Sequence, residues 1–153
     1  MPSPLFRSVP ARLAALAIVA VTISIAANAA NSRIIVDLND TDADGKLGGM
    51  QVRASQTKVK AGLVSFDVTN RSAALVHEML VIRLDRPGQT LPYDTAEDKI
   101  VEARTHDLGE VSELDPGKAG ALQLKLAPGV YALLCNQPGH YHAGMVTMLT
   151  VMP

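Results

Sequence analysis

A chain of 153 residues is long enough for one domain with a sizeable core and too short for two. Its 14 basic and 15 acidic residues give a net charge of −1, and cleavage of a leader carrying Arg7 and Arg12 leaves 12 basic against 15 acidic, a charge of −3. That balance argues against a nucleic-acid binder, which needs a basic face. With no Trp, two Phe and three Tyr, the core must be aliphatic.

Residues 1–29 read as a secretory signal. Arg7 and Arg12 form a positive start, residues 13–27 are an apolar run of signal length that is short for a membrane span, and Ala27-Asn28-Ala29 fits a small-x-small cleavage site. The alternative is an uncleaved N-terminal anchor. The two arginines are not paired, and there is no cysteine near the cleavage site to carry lipid. Residues 30–153 are then expected to be a single domain.

The first strand is expected at residues 34–38, a β-branched run. Residues 39–45 follow as an acidic loop in which Asp40, Asp42, Asp44 and Gly45 superficially match a calcium loop. The twelfth position is Gln51, which cannot supply a bidentate carboxylate, and a strand precedes where a helix is needed, so a solvated loop is the simpler reading. Strands are expected at residues 50–56 and 63–70, the latter with Val64, Phe66 and Val68 on one face. Another is expected at residues 75–84, with His77 near its start. Residues 86–105 contain Pro87, Gly88 and Pro92, then a Thr95/Asp98 pair resembling a capping box, and predict an irregular excursion with a short helix. His106, beside Asp107, falls in a polar loop. After a turn at Asp115-Pro116-Gly117, strands are expected at residues 121–126, 130–135 and 145–152. The pattern predicts an all-β sandwich of seven to eight strands with one helical insertion.

The segment Cys135-Asn136-Gln137-Pro138-Gly139-His140-Tyr141-His142-Ala143-Gly144-Met145 concentrates the chemistry. Thiolate, imidazole and thioether are soft or borderline ligands, and a His₂Cys set with a weak axial Met suits copper. In an exported protein a lone cysteine cannot form an internal disulfide. It is a metal ligand, a buried inert thiol or a nucleophile. His77, at the mouth of one strand, is the candidate that can converge with Cys135 at the end of another. Pro138-Gly139 suits a tight turn bringing Cys135 and His140 onto one ion, and Gly144 is expected to relieve crowding before Met145. His142 breaks the spacing and is expected at the surface. Glu78 either holds the ligand loop by accepting backbone N–H bonds or faces solvent.

The spacing Cys135-x₄-His140-x₄-Met145, with His77 upstream on a strand, resembles the type 1 (blue) copper proteins of the cupredoxin family. Asn70 shortly before His77, the 126–131 turn (Leu-Ala-Pro-Gly-Val-Tyr) and Gly144-Met145 fit as well. The loop lengths are similar to those of rusticyanin, auracyanin and sulfocyanin, whereas plastocyanin and azurin have shorter loops. The resemblance spans residues 34–151. It implies a Greek-key β-sandwich binding one copper ion through His77, Cys135, His140 and Met145. Glu78 departs from the Asn or Ser that often follows the first ligand histidine.

The function so implied is one-electron transfer, with no enzyme activity, by a periplasmic or otherwise exported monomer. Its partners would be redox proteins such as c-type cytochromes or copper/haem oxidoreductases, docking transiently near His140. Copper delivery, storage or resistance is the alternative, and a cysteine nucleophile paired with His77 or His140 is a remoter one. A two-copper site needs a second cysteine.

Overall fold

The computed structural model describes residues 31–41 and 47–153. Residues 1–30, where a secretory signal is expected, and positions 42–46 of the expected acidic loop lie outside the described residues.

Among the described residues, eleven strands form in chain order: β1 (Ser32–Thr41), β2 (Leu47–Ala54), β3 (Lys58–Lys60), β4 (Gly62–Asn70), β5 (His77–Leu84), β6 (Tyr93–Asp94), β7 (Lys99–Ile100), β8 (His106–Leu114), β9 (Ala119–Leu126), β10 (Gly129–Leu134) and β11 (Val146–Met152). One sheet has the order β2-β1-β4-β9 and the other β3-β11-β10-β5-β8. The pairs β1–β4 and β3–β11 are parallel and the rest are antiparallel. The chain changes sheet between β2 and β3, β3 and β4, β4 and β5, β8 and β9, and β9 and β10, giving the expected sandwich with nine strands in its two layers.

Alternation builds the interior. Ile34, Val36 and Leu38 of β1 and Val64, Phe66 and Val68 of β4 point inward to meet Met79 and Val81 of β5 and Tyr131 and Leu133 of β10. Cys135 and Met145 belong to this same cluster. The other face of β5 and β10 is also buried. Leu80, Ile82, Leu84, Ala132 and Leu134 pack beneath Leu91 and Ile100 of the 86–105 excursion. This explains why the middle of β5, Met79 to Ile82, is continuously apolar: a stretch covered on both faces has no polar side to display.

Several expected details change. Asp40 does not sit in a solvated loop. It is the last inward residue of β1, buried, and its Oδ2 accepts from Ser72 Oγ at 2.6 Å. The helix expected within 86–105 shrinks to a 3₁₀ turn at Glu102–Arg104, and Thr95 caps nothing there. Instead β6 and β7 form a small hairpin, its turn held by Asp94 Oδ1 accepting from the amides of Ala96 and Glu97 at 2.8 and 3.3 Å. His106 opens β8, an edge strand unseen in the sequence, and remains exposed there.

Candidate metal centre

His77 and Cys135 arrive from adjacent strands. The β5–β10 register pairs Leu134 with Leu80, so the residues just beyond, Cys135 and His77, emerge at the same end of the sheet. His140 returns to them through the loop before β11. Three turn bonds shape that loop: His140 N to Gln137 O at 3.0 Å, Ala143 N to Gly139 O at 2.9 Å and Met145 N to His140 O at 3.0 Å. Cys135 N donates to Met145 O at 3.1 Å and closes its base. Gly139 and Gly144 adopt φ of +80° and +96°. A Cβ on Gly144 would meet nothing within 4 Å, so this glycine serves backbone conformation and not the relief of crowding.

The segment leading into His77 is braced separately. Asn70 is buried and its Nδ2 donates to the carbonyls of Leu75 and Leu114, both at 2.8 Å, while its Oδ1 accepts from Ser72 N. Ser72 Oγ donates to Asp40 and accepts from the amides of Ala74 and Leu75. A polar network thus fixes the last residues before the ligand strand.

The three side chains converge. His77 Nδ1 and His140 Nδ1 are 3.2 Å apart, and Cys135 Sγ lies 3.8 Å from the first and 3.4 Å from the second. His77 and Cys135 are completely buried, while His140 is half-buried. Among the described residues this is the one group of three or more histidine, cysteine or acidic side chains placed to share a metal ion. Met145, also completely buried, follows the loop back into the core beside Cys135. His142 is exposed, as expected, with its ring edge-on to Tyr93 at 5.7 Å.

Burial sets the protonation states. It pushes His77 down to about 4, assisted by nearby His140 and opposed by Asp40. His140 is lowered by the same cause. The Cys135 thiol is pushed up to about 11 by burial, although the backbone N–H groups of Glu78 and Gln137 pull it back. The Glu78 amide lies 3.5 Å from the sulfur. Two neutral imidazoles presenting lone pairs towards a thiol fit a soft cation that displaces one proton. Three donors bound at ~2.0–2.3 Å to one ion in a plane lie about 3.5–3.8 Å apart, close to the separations observed.

Glu78 follows neither expectation for it. Its side chain is buried on the outer face of the sheet, and its Oε1 has no hydrogen-bond partner among the described residues. Burial raises its carboxyl; Lys99 opposes the shift, and Glu110, Glu113 and Glu102 reinforce it.

Residues 39–152 match the sequence profile of the copper-binding proteins of the plastocyanin/azurin family. Among solved structures, auracyanin B is 23% identical, with 82% of this chain and 91% of that one covered and a TM-score of 0.58. Auracyanin A, described as a "blue" copper protein from the green thermophilic photosynthetic bacterium Chloroflexus aurantiacus, is 19% identical over 80% of this chain and 100% of its own, with a TM-score of 0.53. Rusticyanin from Thiobacillus ferrooxidans is 14% identical over 80% and 77%, with a TM-score of 0.57. At these identities the structures speak for the fold. No match was found among curated proteins.

Proposed function

The chain belongs to the plastocyanin/azurin family of copper-binding proteins, and on that premise we propose that it is an exported one-electron carrier. The observation that carries this reading is the convergence of His77, Cys135 and His140 at one buried point. Bound there, copper supplies a Cu(I)/Cu(II) couple. The protein holds three donors in a frame that need not rearrange between oxidation states. Cys135 offers a thiolate steadied by the Glu78 amide, His77 closes the interior side, and His140 leaves its outer ring edge towards solvent. Met145 would add its thioether as a fourth, weaker donor, because its buried position and the bond from Cys135 N to its carbonyl keep it at the base of the same loop.

Electrons then enter and leave through the half-buried His140. Around it, exposed Pro138, Ala143 and Gly144 and half-buried Tyr141 make a small surface suited to transient docking with redox proteins such as c-type cytochromes or copper/haem oxidoreductases. Burial of two ligands weighs against copper delivery, which needs ready exchange. Export is part of the proposal and rests on the apolar run at residues 13–27. N-terminal sequencing of protein from the producing cell tests it, with a start near Ala30 expected.

The test of the whole reading is an oxidised visible spectrum with copper measured on the same sample. An intense thiolate-to-copper band and a reversible one-electron couple are expected, and Cys135→Ser should abolish the band. Stoichiometric copper in a colourless oxidised protein, or rapid loss of copper to a modest chelator without a reversible couple, would overturn it.

A further inference from the structure

Asn136 directly follows the thiolate ligand, yet its side chain does not enter the site. Alternation along β10 sends it to the outer face with Ala132 and Leu134, where it is 1% exposed. An apolar side chain would continue the pattern there. The carboxamide instead makes three bonds to the excursion. Its Oδ1 accepts from Ile100 N–H at 2.7 Å, and its Nδ2 donates to the Ile100 carbonyl at 3.1 Å and to Glu102 Oε1 at 2.6 Å. Asn136 thus takes the place of a strand neighbour for Ile100.

A second tie lies three residues on. Gly139 N–H donates to the Asp98 carbonyl at 2.8 Å, and a Cβ on Gly139 would come within 3.0 Å of Asp98 Oδ2. Asp98 itself sits at φ +55° and accepts from the Tyr93 hydroxyl, while the Tyr93 ring lies against Tyr141 at 6.1 Å. The β6–β7 hairpin therefore grips the ligand loop on both sides of Pro138.

The grip falls where the sulfur is most sensitive to it. Asn136 lies between Cys135, whose sulfur is 3.5 Å from the Glu78 amide, and Gln137, whose carbonyl accepts from His140 N at 3.0 Å. Hydrogen bonds to a ligating sulfur withdraw charge and favour the reduced metal. Holding residue 136 holds the backbone on both sides of it: the sulfur against the Glu78 amide and the turn that carries His140. We propose that Asn136 is a positioning residue for the copper thiolate: through its bridge to Ile100 and Glu102, the hairpin fixes the backbone behind Cys135 and thereby raises the reduction potential and slows copper loss. The proposal rests on the electron-carrier reading above.

The experiment compares full-length wild type, Asn136→Ala and Glu102→Ala, each metal-free and copper-loaded. In metal-free Asn136→Ala, amide exchange at Ile100 and Gly139 should accelerate about tenfold, as expected for loss of a buried hydrogen bond. In the copper-loaded form the potential should fall, the thiolate-to-copper band should shift and copper should pass to a chelator about tenfold faster. Glu102→Ala, which removes one bond of the three from the outside, should move the potential the same way by less. It keeps the proposal testable where Asn136→Ala does not fold. Lower stability or faster exchange with an unmoved potential and band would reduce Asn136 to a structural tie and overturn the proposal. A wild type without the blue band overturns the electron-carrier reading instead, so the two failures are told apart.

Discussion

At the scale of single residues, the site's chemistry follows from burial. Folded His77 takes up its proton near pH 4, whereas an unfolded histidine does so near 6.5. Between those values the unfolded chain binds more protons, so stability rises with pH. In the metal-free protein this contribution is complete above pH 6.5 and is lost on acidification towards pH 4, on the order of 3 kcal/mol. Denaturant titrations at a series of pH values should show the loss, and His77→Asn should remove that part of the slope. The Cys135 thiol is protonated at neutral pH because burial pushes it to about 11, while both imidazoles are already neutral. Copper binding at pH 7 should therefore release about one proton, measurable by calorimetry in buffers of different ionisation enthalpy, and Cys135→Ser should release none. For Glu78 the raised carboxyl means a cost to folding that grows as pH rises above the ordinary glutamate range. Glu78→Gln should raise the thermal midpoint of the metal-free protein at pH 7 and have little effect at pH 3. That His77, Cys135 and His140 converge is legible from residue type and their places at strand ends, because few roles unite those side chains. The surroundings of Glu78 are not, since nothing local shows that residues 86–105 fold back over it.

At the scale of elements, strands with one dry face announced themselves. Alternation at Val64, Phe66 and Val68 and at Leu122, Leu124 and Leu126 placed β4 and β9 within a residue or two. Edge strand β8 is not legible in the sequence because Val111 is its one buried residue, set among polar neighbours. Thr95 and Asp98 suit a helix cap and a hairpin turn equally well, and the packing of Ile100 against Asn136 decides for the hairpin. Two element-scale consequences are measurable. Gly120 of β9 faces Val111, whose Cγ1 would lie 2.5 Å from an added Cβ. Gly120→Ala should cost about 1–3 kcal/mol by denaturant unfolding. Asn70 joins the end of β4, the approach to His77 and the end of β8 through one buried amide. Asn70→Ala removes the partner of two carbonyls and of the Ser72 N–H and should cost about 2–3 kcal/mol.

At the scale of the molecule, charge is unevenly spread. Residues 86–115 carry eight acidic side chains and three basic ones. They form the excursion and edge strand β8 on one side of the five-stranded sheet, and Asp98 brings that side to the ligand loop at Gly139. A field of one sign beside His140 should accelerate encounters with cations. Reduction of a small cationic oxidant should slow as ionic strength rises, an anionic oxidant should show the opposite trend, and stopped-flow kinetics distinguish the two.

The double cover of β5 and β10 has a bearing on time. These strands lie in the middle of the five-stranded sheet with side chains packed above and below. Segments of this kind are the last to open in native-state fluctuations, while exposed loops open first and most often. His77 and Cys135 therefore share the slow clock of the sheet, and His140 runs on the faster clock of its loop. Any departure of the metal has an order to it: the outer imidazole lets go long before the inner pair can.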